Sequence, residues 1–268
     1  MRLSYFGLPV LIILSGIVGC GSGESDSAET TTAPVEEVET ELNESSETET
    51  ASAEPAPEGK VLRHAVFFSF KEESSESDVQ EVVDAFRALP EKIDAIQDFA
   101  WGTNNSPEGL DDGFTHCFFL TFKDQAGLQE YIPHPAHSGE FADVLRPHMK
   151  SVFVIDYWGT PSEAELEKEL MHAVFFKFKD DADPAAVKEV EEAFAALPNK
   201  IDAVKAFEWG MNNSPEGKND GFTHAFMLTF DSEDGRKAYL PHPDHQAFVK
   251  VLEPVLDKVR VLDFWAVE

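Results

Sequence analysis

The sequence has little cysteine and little positive charge. Its two cysteines, at positions 20 and 117, cannot form a disulfide scaffold, and no CxxC pair is present to hold a structural metal. The 268 residues include 21 Lys and Arg against 51 Asp and Glu, a net charge of −30. Binding to a phosphate backbone requires a basic patch, so no nucleic-acid partner is expected. The sequence also lacks a phosphate-binding glycine loop, a dinucleotide fingerprint and a Ser-His-Asp arrangement.

The N-terminus is typical of a targeting segment. Arg2 precedes an apolar run over residues 8–18, which is too short to span a bilayer but suits the h-region of a signal peptide. The run ends in Ile-Val-Gly-Cys, with Cys20 at the end, and this stretch resembles a bacterial lipobox. We expect residues 1–19 to be a lipoprotein signal peptide and Cys20 to be lipidated. The alternative is an ordinary signal peptide with an incidental cysteine.

The segment that follows is acidic and poor in apolar side chains. Residues 21–60 contain 12 acidic residues, one base and no aromatic residue. Such a composition cannot bury enough apolar surface to offset its chain entropy, so we expect residues 20–60 to be a disordered tether. The protein would then lie in the bacterial cell envelope, outside the cytoplasmic membrane, with the lipid anchor as its membrane contact. Gly21 follows the cysteine, rather than the Asp that resembles an inner-membrane retention signal, which favours the outer membrane.

The remainder contains one domain twice. At an offset of 108 residues, 43 of the 74 positions from His64 to His137 are identical to those of residues 172–245. We place the two domains at 61–158 and 170–268, joined by a linker at 159–169. Apolar spacing within one copy predicts the order β-α-β-β-α-β, which is the ferredoxin-like arrangement of the α+β class.

Both faces of each predicted sheet are apolar, although helices cover only one face of such a fold. The uncovered face carries Phe67 and Phe119 in the first copy, matched by Phe175 and Met227 in the second. Large apolar side chains of this kind are not left in water. We therefore expect the two sheets to pack these faces together, as an α/β barrel formed within one chain.

Several short motifs recur in both copies. They are His-x-Val-x-Phe-x-Phe-Lys, Trp-Gly-x-Asn-Asn-Ser, Gly-Phe-Thr-His, Tyr-x-Pro-His-Pro-x-His and a closing Asp. Together they resemble the stress-responsive A/B barrel (Dabb) family over nearly all of 62–158 and 170–266. The resemblance implies a dimeric α/β barrel, formed here by the two copies.

Eight of the nine histidines fall into matched pairs. Two in each copy lie on the helix-facing side of the predicted sheet, and two lie in the Tyr-x-Pro-His-Pro-x-His segment. Imidazole titrates near neutral pH, so such a cluster suits proton transfer. We expect a pocket for a small apolar ligand in each copy. The candidate ligand-binding residues are His64, His116 and His134 in the first copy, and His172, His224 and His242 in the second.

The family resemblance assigns the candidate catalytic residues. A plant polyketide cyclase of this family uses the Tyr and the last His of the equivalent segment. By that resemblance, Tyr131 with His137, and Tyr239 with His245, would be acid and base. The implied chemistry is cofactor-independent enolisation, aldol closure or isomerisation of a small carbonyl compound, so no cofactor and no metal are expected.

These residues also allow other interpretations. A strand histidine is often a core residue bonded to a carbonyl, and a Pro-flanked histidine often caps a helix. Four histidines in one region could also hold zinc, and haem occurs elsewhere among dimeric α/β barrels. Finally, the pocket of a tethered stress-response module could bind a ligand without changing it, so the sequence does not decide whether the protein is an enzyme.

The lipid anchor gives a direct prediction. Replacing Cys20 with Ser removes the only sulfur that can be acylated at the expected cleavage site. We expect the Cys20→Ser variant to be released from the membrane or mislocalised, as measured by membrane fractionation. Unchanged fractionation of the variant would contradict the anchor.

Overall fold

The computed structural model describes residues 55–162, 164 and 166–267. The predicted signal peptide, Cys20 and most of the predicted tether lie outside the described residues. No helix in the described part of the chain is long and apolar enough to cross a membrane.

The two repeats have the same order of elements. The first comprises β1 (Val61–Phe70), α1 (Glu76–Arg87), β2 (Ile96–Thr103), β3 (His116–Phe122), α2 (Gln125–Tyr131), a π-helical segment (Pro135–Phe141), α3 (Ala142–Leu145) and β4 (Met149–Gly159). The second comprises β5 (Leu170–Phe178), α4 (Pro184–Ala195), a 3-10 turn (Leu197–Asn199), β6 (Ala206–Met211), β7 (His224–Phe230), α5 (Glu233–Tyr239), α6 (Pro243–Leu252) and β8 (Leu256–Trp265). The sheets are antiparallel, in the orders β2-β3-β1-β4 and β6-β7-β5-β8. The predicted α+β class and ferredoxin-like repeats are confirmed.

The repeats differ in the segment that follows Pro135. Residues 135–141 form a π-helix whose last turn is closed by the bond from Ala142 N to His137 O, whereas the second repeat has a regular α-helix there. His137 pairs with His245 at an offset of 108, but Asp156 pairs with Asp263 at 107. The first repeat therefore has one more residue in this stretch. A π-turn is the usual way for a helix to accommodate one extra residue.

Each sheet packs its histidine-bearing face against its own helices. In the first repeat the centre of this core is aromatic, with the Phe86 and Phe118 rings stacked at 4.2 Å and Phe68 beside them at 5.6 Å from Phe118. The second repeat reproduces the arrangement with Phe194 and Phe226 at 4.3 Å. The alternation of side chains along β1 and β5 decides which residues enter these two cores.

The opposite faces of the two sheets form one shared core. Phe67 and Phe175 meet edge-to-face at 5.3 Å, and Phe119 and Met227 belong to the same buried cluster. The predicted pairing of the two repeats within the chain is therefore confirmed. At one edge of the barrel Gly102 packs so closely that a Cβ atom there would lie 2.5 Å from the Trp265 carbonyl oxygen.

Three charged side chains at the interface between the repeats, Arg63, Glu208 and Arg260, stand where the other repeat has an uncharged residue. Glu208 on β6 accepts hydrogen bonds from Arg63 (3.0 Å) and from the Tyr157 hydroxyl (2.9 Å), both in the first repeat. Arg260 on β8 lies over the Phe153 ring at 4.3 Å and pairs with Asp112 at 2.7 Å. These contacts join the two repeats, and neither has a symmetry-related copy, because Ala100 stands opposite Glu208 in the alignment and Phe153 opposite Arg260.

The shared core predicts a large effect of truncating Phe67, which is buried between Phe153 and Phe175. Phe67→Ala leaves a cavity between the sheets, so we expect the free energy of unfolding to fall by about 3–5 kcal/mol in urea denaturation. Met211→Ala is the control, because Met211 is 62% exposed; its change should stay within about 0.5 kcal/mol. Equal effects of the two substitutions would contradict the shared core.

Candidate active site

A histidine on a central strand and an aspartate on the neighbouring edge strand face each other in each repeat. The antiparallel register places His64 on β1 directly opposite Asp156 on β4, and His172 on β5 opposite Asp263 on β8. In both pairs the histidine Nδ1 lies 2.6 Å from the aspartate Oδ1, and all four side chains are buried. The carboxylate fixes the orientation of the ring, which leaves Nε2 as the end that can act on another group.

A tyrosine and a second histidine complete the same end of the helix-side core. Tyr131 ends α2, and its ring centroid lies 5.5 Å from that of His64 and 4.2 Å from that of His137. In the second repeat Tyr239 lies 5.7 Å from His172 and 4.5 Å from His245. The candidate catalytic pairs are therefore in contact, and each pair adjoins a strand histidine.

The second histidine has a defined tautomer. Nδ1 of His137 lies 2.9 Å from the carbonyl oxygen of Ile132, and Nδ1 of His245 lies 3.0 Å from that of Leu240. A carbonyl oxygen only accepts, so Nδ1 carries the hydrogen and Nε2 of the neutral ring is an acceptor. Burial lowers the pKa of both histidines, which favours this neutral form.

The two tyrosine hydroxyls are buried and stay protonated. Burial raises the pKa of Tyr131 and Tyr239 above the usual value, and nearby carboxylates add to the shift. Neither hydroxyl has a hydrogen-bond partner among the described residues, and the same is true of Asp156 Oδ2 and Glu108 Oε1. Buried polar groups are normally hydrogen-bonded, so these unpaired atoms are the ones that a water molecule or a ligand group would have to satisfy.

Each site is completed by a loop of the other repeat. The connection from β6 to β7 crosses to the first repeat, where Asn213 N donates to the Asp156 carbonyl oxygen at 2.8 Å. This brings the Glu216 carboxylate to 3.9 Å from His64 Nε2. In the same way, the connection from β2 to β3 crosses to the second repeat, where Asn105 N donates to the Asp263 carbonyl oxygen at 2.7 Å. We call these two clusters the first site (His64, Asp156, Tyr131, His137 and Glu216) and the second site (His172, Asp263, Tyr239, His245 and Glu108).

Two of the predicted pocket histidines lie elsewhere. The register pairs His116 with Phe68, whereas His64 pairs with Leu120, so His116 is four residues away along the sheet. Its ring packs on Phe70 at 5.0 Å, and its counterpart His224 bonds Glu191 at 2.9 Å. The expectation of one pocket holding both strand histidines is therefore corrected, because a shared face does not fix the position along the strand.

The remaining two predicted residues act as helix caps. His134 Nδ1 accepts a hydrogen bond from Ala136 N at 3.2 Å, and His242 Nδ1 accepts one from Asp244 N at 3.2 Å. Each caps the helical segment that begins at the following proline. The structure thus gives these side chains a local hydrogen-bonding role at the start of a helical segment. In the described part of the chain, no group of three or more His, Cys, Asp or Glu side chains is arranged to hold a metal ion.

Sequence reasoning missed the two glutamates. Asn-Asn-Ser-Pro-Glu-Gly is turn-rich in both copies, and its composition indicates only a connection between two strands. One signal in the sequence indicates that this turn also contributes to a site. An acidic residue, Glu108 or Glu216, stands at the same position of the turn in both repeats.

Histidine titration tests the electrostatics of the second site. Burial lowers the pKa of His172, but the charge of Asp263 and its hydrogen bond outweigh burial, so the pKa lies above its usual value. The stability contributed by the His172 imidazolium is therefore complete below about pH 6.5 and is lost as pH rises through the raised pKa. By NMR, we expect His172 to titrate above about pH 6.5 and His137 and His245 below it.

The control removes the carboxylate. In Asp263→Asn the burial of His172 is no longer offset, so its titration midpoint should fall below that of the unchanged protein. A His172 midpoint at or below that of His245 in the unchanged protein would contradict this account of the site.

Comparisons with known proteins agree with the fold. The family model described as Stress responsive A/B Barrel Domain (Dabb) matches residues 62–159 and again 170–266. Stress-response A/B barrel domain-containing protein HS1 of Arabidopsis thaliana is 36% identical over 100 residues, which cover 37% of this chain and 92% of the relative. Olivetolic acid cyclase of Cannabis sativa is 32% identical over 96 residues, which cover 36% of this chain and 94% of the relative.

A solved structure resembles both repeats together. The structure of an anthrone oxidase-like protein covers 79% of this chain, and 93% of its own chain is matched, with a TM-score of 0.57 at 13% identity. Since the identity is low, this likeness concerns the fold alone.

Proposed function

The chain belongs to the stress responsive A/B barrel domain family, and we propose that its two repeats form two cofactor-independent acid–base sites for a small carbonyl compound. The observation that carries the proposal is the ring contact, present in both repeats, between a histidine and a tyrosine whose buried hydroxyl has no hydrogen-bond partner among the described residues. One relative, 32% identical over 96 residues, is a cyclase by its name, which supports the proposal.

The tyrosine supplies the acid. A neutral hydroxyl that has no other acceptor can donate to the carbonyl oxygen of a substrate. As a proton leaves the carbon next to that carbonyl, negative charge develops on the oxygen, and the hydrogen bond from Tyr131 strengthens. The raised pKa of Tyr131 keeps the group protonated and able to donate throughout.

The adjacent histidine supplies the base. His137 is oriented by its Nδ1 bond to Ile132, so its Nε2 lone pair is free to accept the proton from carbon. The enolate formed in this way then either attacks a second carbonyl or takes the proton back at another position, and His137 returns the proton in both cases. Its pKa, lowered by burial, ensures that the ring starts neutral at pH 7.

The His–Asp pair and the crossing glutamate position the substrate. Asp156 holds His64 with Nε2 directed away from the carboxylate, and Glu216 lies 3.9 Å from that nitrogen. A polar group of the substrate could bridge the two side chains. His64 also packs edge-to-face on Phe122 at 6.1 Å, which adds an apolar wall. A few polar groups beside an apolar wall are typical of a small-molecule site.

A non-catalytic ligand-binding module is the second candidate. It is favoured by the depth of the sites, since Tyr131 and Tyr239 are fully buried, and His64 and His172 are nearly so. A ligand held at this depth exchanges slowly and need not react. Turnover separates the two candidates.

We also propose that the barrel is tethered outside the cytoplasmic membrane by a lipid on Cys20. Support comes from the sequence alone, and the Cys20→Ser fractionation described above tests it. This part of the proposal is independent of the acid–base chemistry.

Removing both tyrosine hydroxyls tests the chemistry. Positioned acid–base groups contribute about 10² to 10⁴ in rate. We expect the Tyr131→Phe/Tyr239→Phe double variant to lose most of this factor in deuterium exchange at the central carbon of a β-diketone panel, followed by proton NMR. Tyr157→Phe is the matched control, because Tyr157 is equally buried but lies in the shared core. A double variant as active as the control would contradict acid–base catalysis.

A further inference from the structure

The two sites differ in the location of one cation. In the first site the Lys218 ammonium contacts the Glu216 carboxylate at the rim, whereas Leu110 takes the place of Lys218 beside Glu108. In the second site Arg236 lies inside, where the first repeat has Leu128. Each site thus has one cation that belongs to the second repeat. In the first site Lys218 contacts the loop glutamate, and in the second site Arg236 contacts the strand aspartate.

In the second site Arg236 bonds the aspartate oxygen whose counterpart in the first site has no partner. Its Nη1 donates to Asp263 Oδ2 at 2.7 Å and to Asn105 Oδ1 at 2.6 Å. The equivalent atom of the first site, Asp156 Oδ2, has no hydrogen-bond partner in the described part of the chain. In the first site Asp156 Oδ2 is therefore an unused acceptor, whereas in the second site Arg236 already occupies Asp263 Oδ2.

The second site has an unpaired acceptor of its own, Glu108 Oε1, and it adds a donor that the first site lacks. Arg236 Nε and the Tyr239 hydroxyl are both buried and lack acceptors among the residues described, whereas the first site offers the unpaired Tyr131 hydroxyl but no arginine. Arg236 and Tyr239 lie on one face of α5, three residues apart.

Burial raises the pKa of Glu108. Burial lowers the pKa of His172, but the charge of Asp263 and its hydrogen bond raise it overall. Both shifts run toward the forms that suit an anionic ligand, the neutral acid and the imidazolium.

We propose that the second site is selective for a ligand bearing a carboxylate, bound by Arg236, Tyr239 and His172, and that the first site takes a neutral ligand. Charge-assisted hydrogen bonds from a buried guanidinium are among the strongest that proteins make, so one residue can set this preference. The inference rests on the proposed function in that it concerns the ligand of the same sites. It depends on binding and not on turnover.

Benzoate and its neutral analogue benzamide are suitable probes. With the full-length chain, we expect benzoate to shift the NMR signals of His172 and His245 at concentrations that leave those of His64 and His137 unmoved. In Arg236→Leu the Kd of benzoate at the second site should rise about tenfold to a hundredfold, as expected for the loss of a charge-assisted hydrogen bond. The Kd of benzamide should change much less.

Two further variants keep the test interpretable. Arg236→Leu reproduces the residue that the first repeat carries at this position, and Arg236→Lys retains the charge and should retain most of the selectivity. Arg146→Leu removes an exposed arginine of the first repeat and should leave benzoate binding unchanged. Benzoate binding that is equal at the two sites, absent from the second, or unaffected by Arg236→Leu would overturn the proposal. Loss of activity in the tyrosine double variant would not bear on these outcomes, so the two proposals fail separately.

Discussion

Each sheet has two apolar faces but helices for only one, and the rest of the structure depends on this constraint. Phe67 and Phe175 meet across the shared core at 5.3 Å, and burial of each such side chain stabilises the fold by about 1.5–3 kcal/mol. Pairing of the repeats is thus a condition of folding. Because the pairing brings the β2–β3 and β6–β7 connections onto the neighbouring repeat, each site includes residues from both.

Asp156 and Asp263 are the points at which folding, pairing and the sites are coupled. The main chain of each binds the crossing loop through Asn213 or Asn105, and the side chain of each orients a strand histidine. A displacement of the loop would therefore move both the histidine and the glutamate that faces it. The tyrosines and the histidines beside them are held by helical segments, His64 and His172 by strands, and the crossing loops by main-chain hydrogen bonds. Such elements position a site more accurately than free loops do.

The fold was predictable from the sequence, because it depends on patterns that repeat. Side-chain alternation identified both faces of each sheet, and the internal repeat supplied the partner for the second face. Register is not accessible in this way, so the sequence groups His116 with His64 although the two are four residues apart along the sheet. The destinations of Glu108 and Glu216 were also hidden, because a turn-forming composition indicates a reversal of the chain and not the surface that the loop contacts. The hydrogen bonds of His134 and His242 show that a proline-flanked histidine can satisfy a helix terminus, and its chemistry cannot be inferred from spacing alone.

Having both copies in one chain removes a restriction that a homodimer imposes. In a symmetric homodimer any substitution appears in both subunits. In this chain a substitution can occur in one repeat alone, and so the ion pair between Arg63 and Glu208, at 3.0 Å, occurs only once. If two first repeats paired, Arg63 would face Ala100 and its buried charge would have no partner. If two second repeats paired, Glu208 would face Met171 and would lack one as well. A buried charge without its partner costs several kcal/mol, so these residues favour the mixed pairing over either symmetric one. Once the mixed pairing is fixed, a substitution in one repeat alters one site and leaves its counterpart intact. The equivalent positions Leu128 and Arg236 are an example, and in this way two sites of common origin come to have different electrostatics.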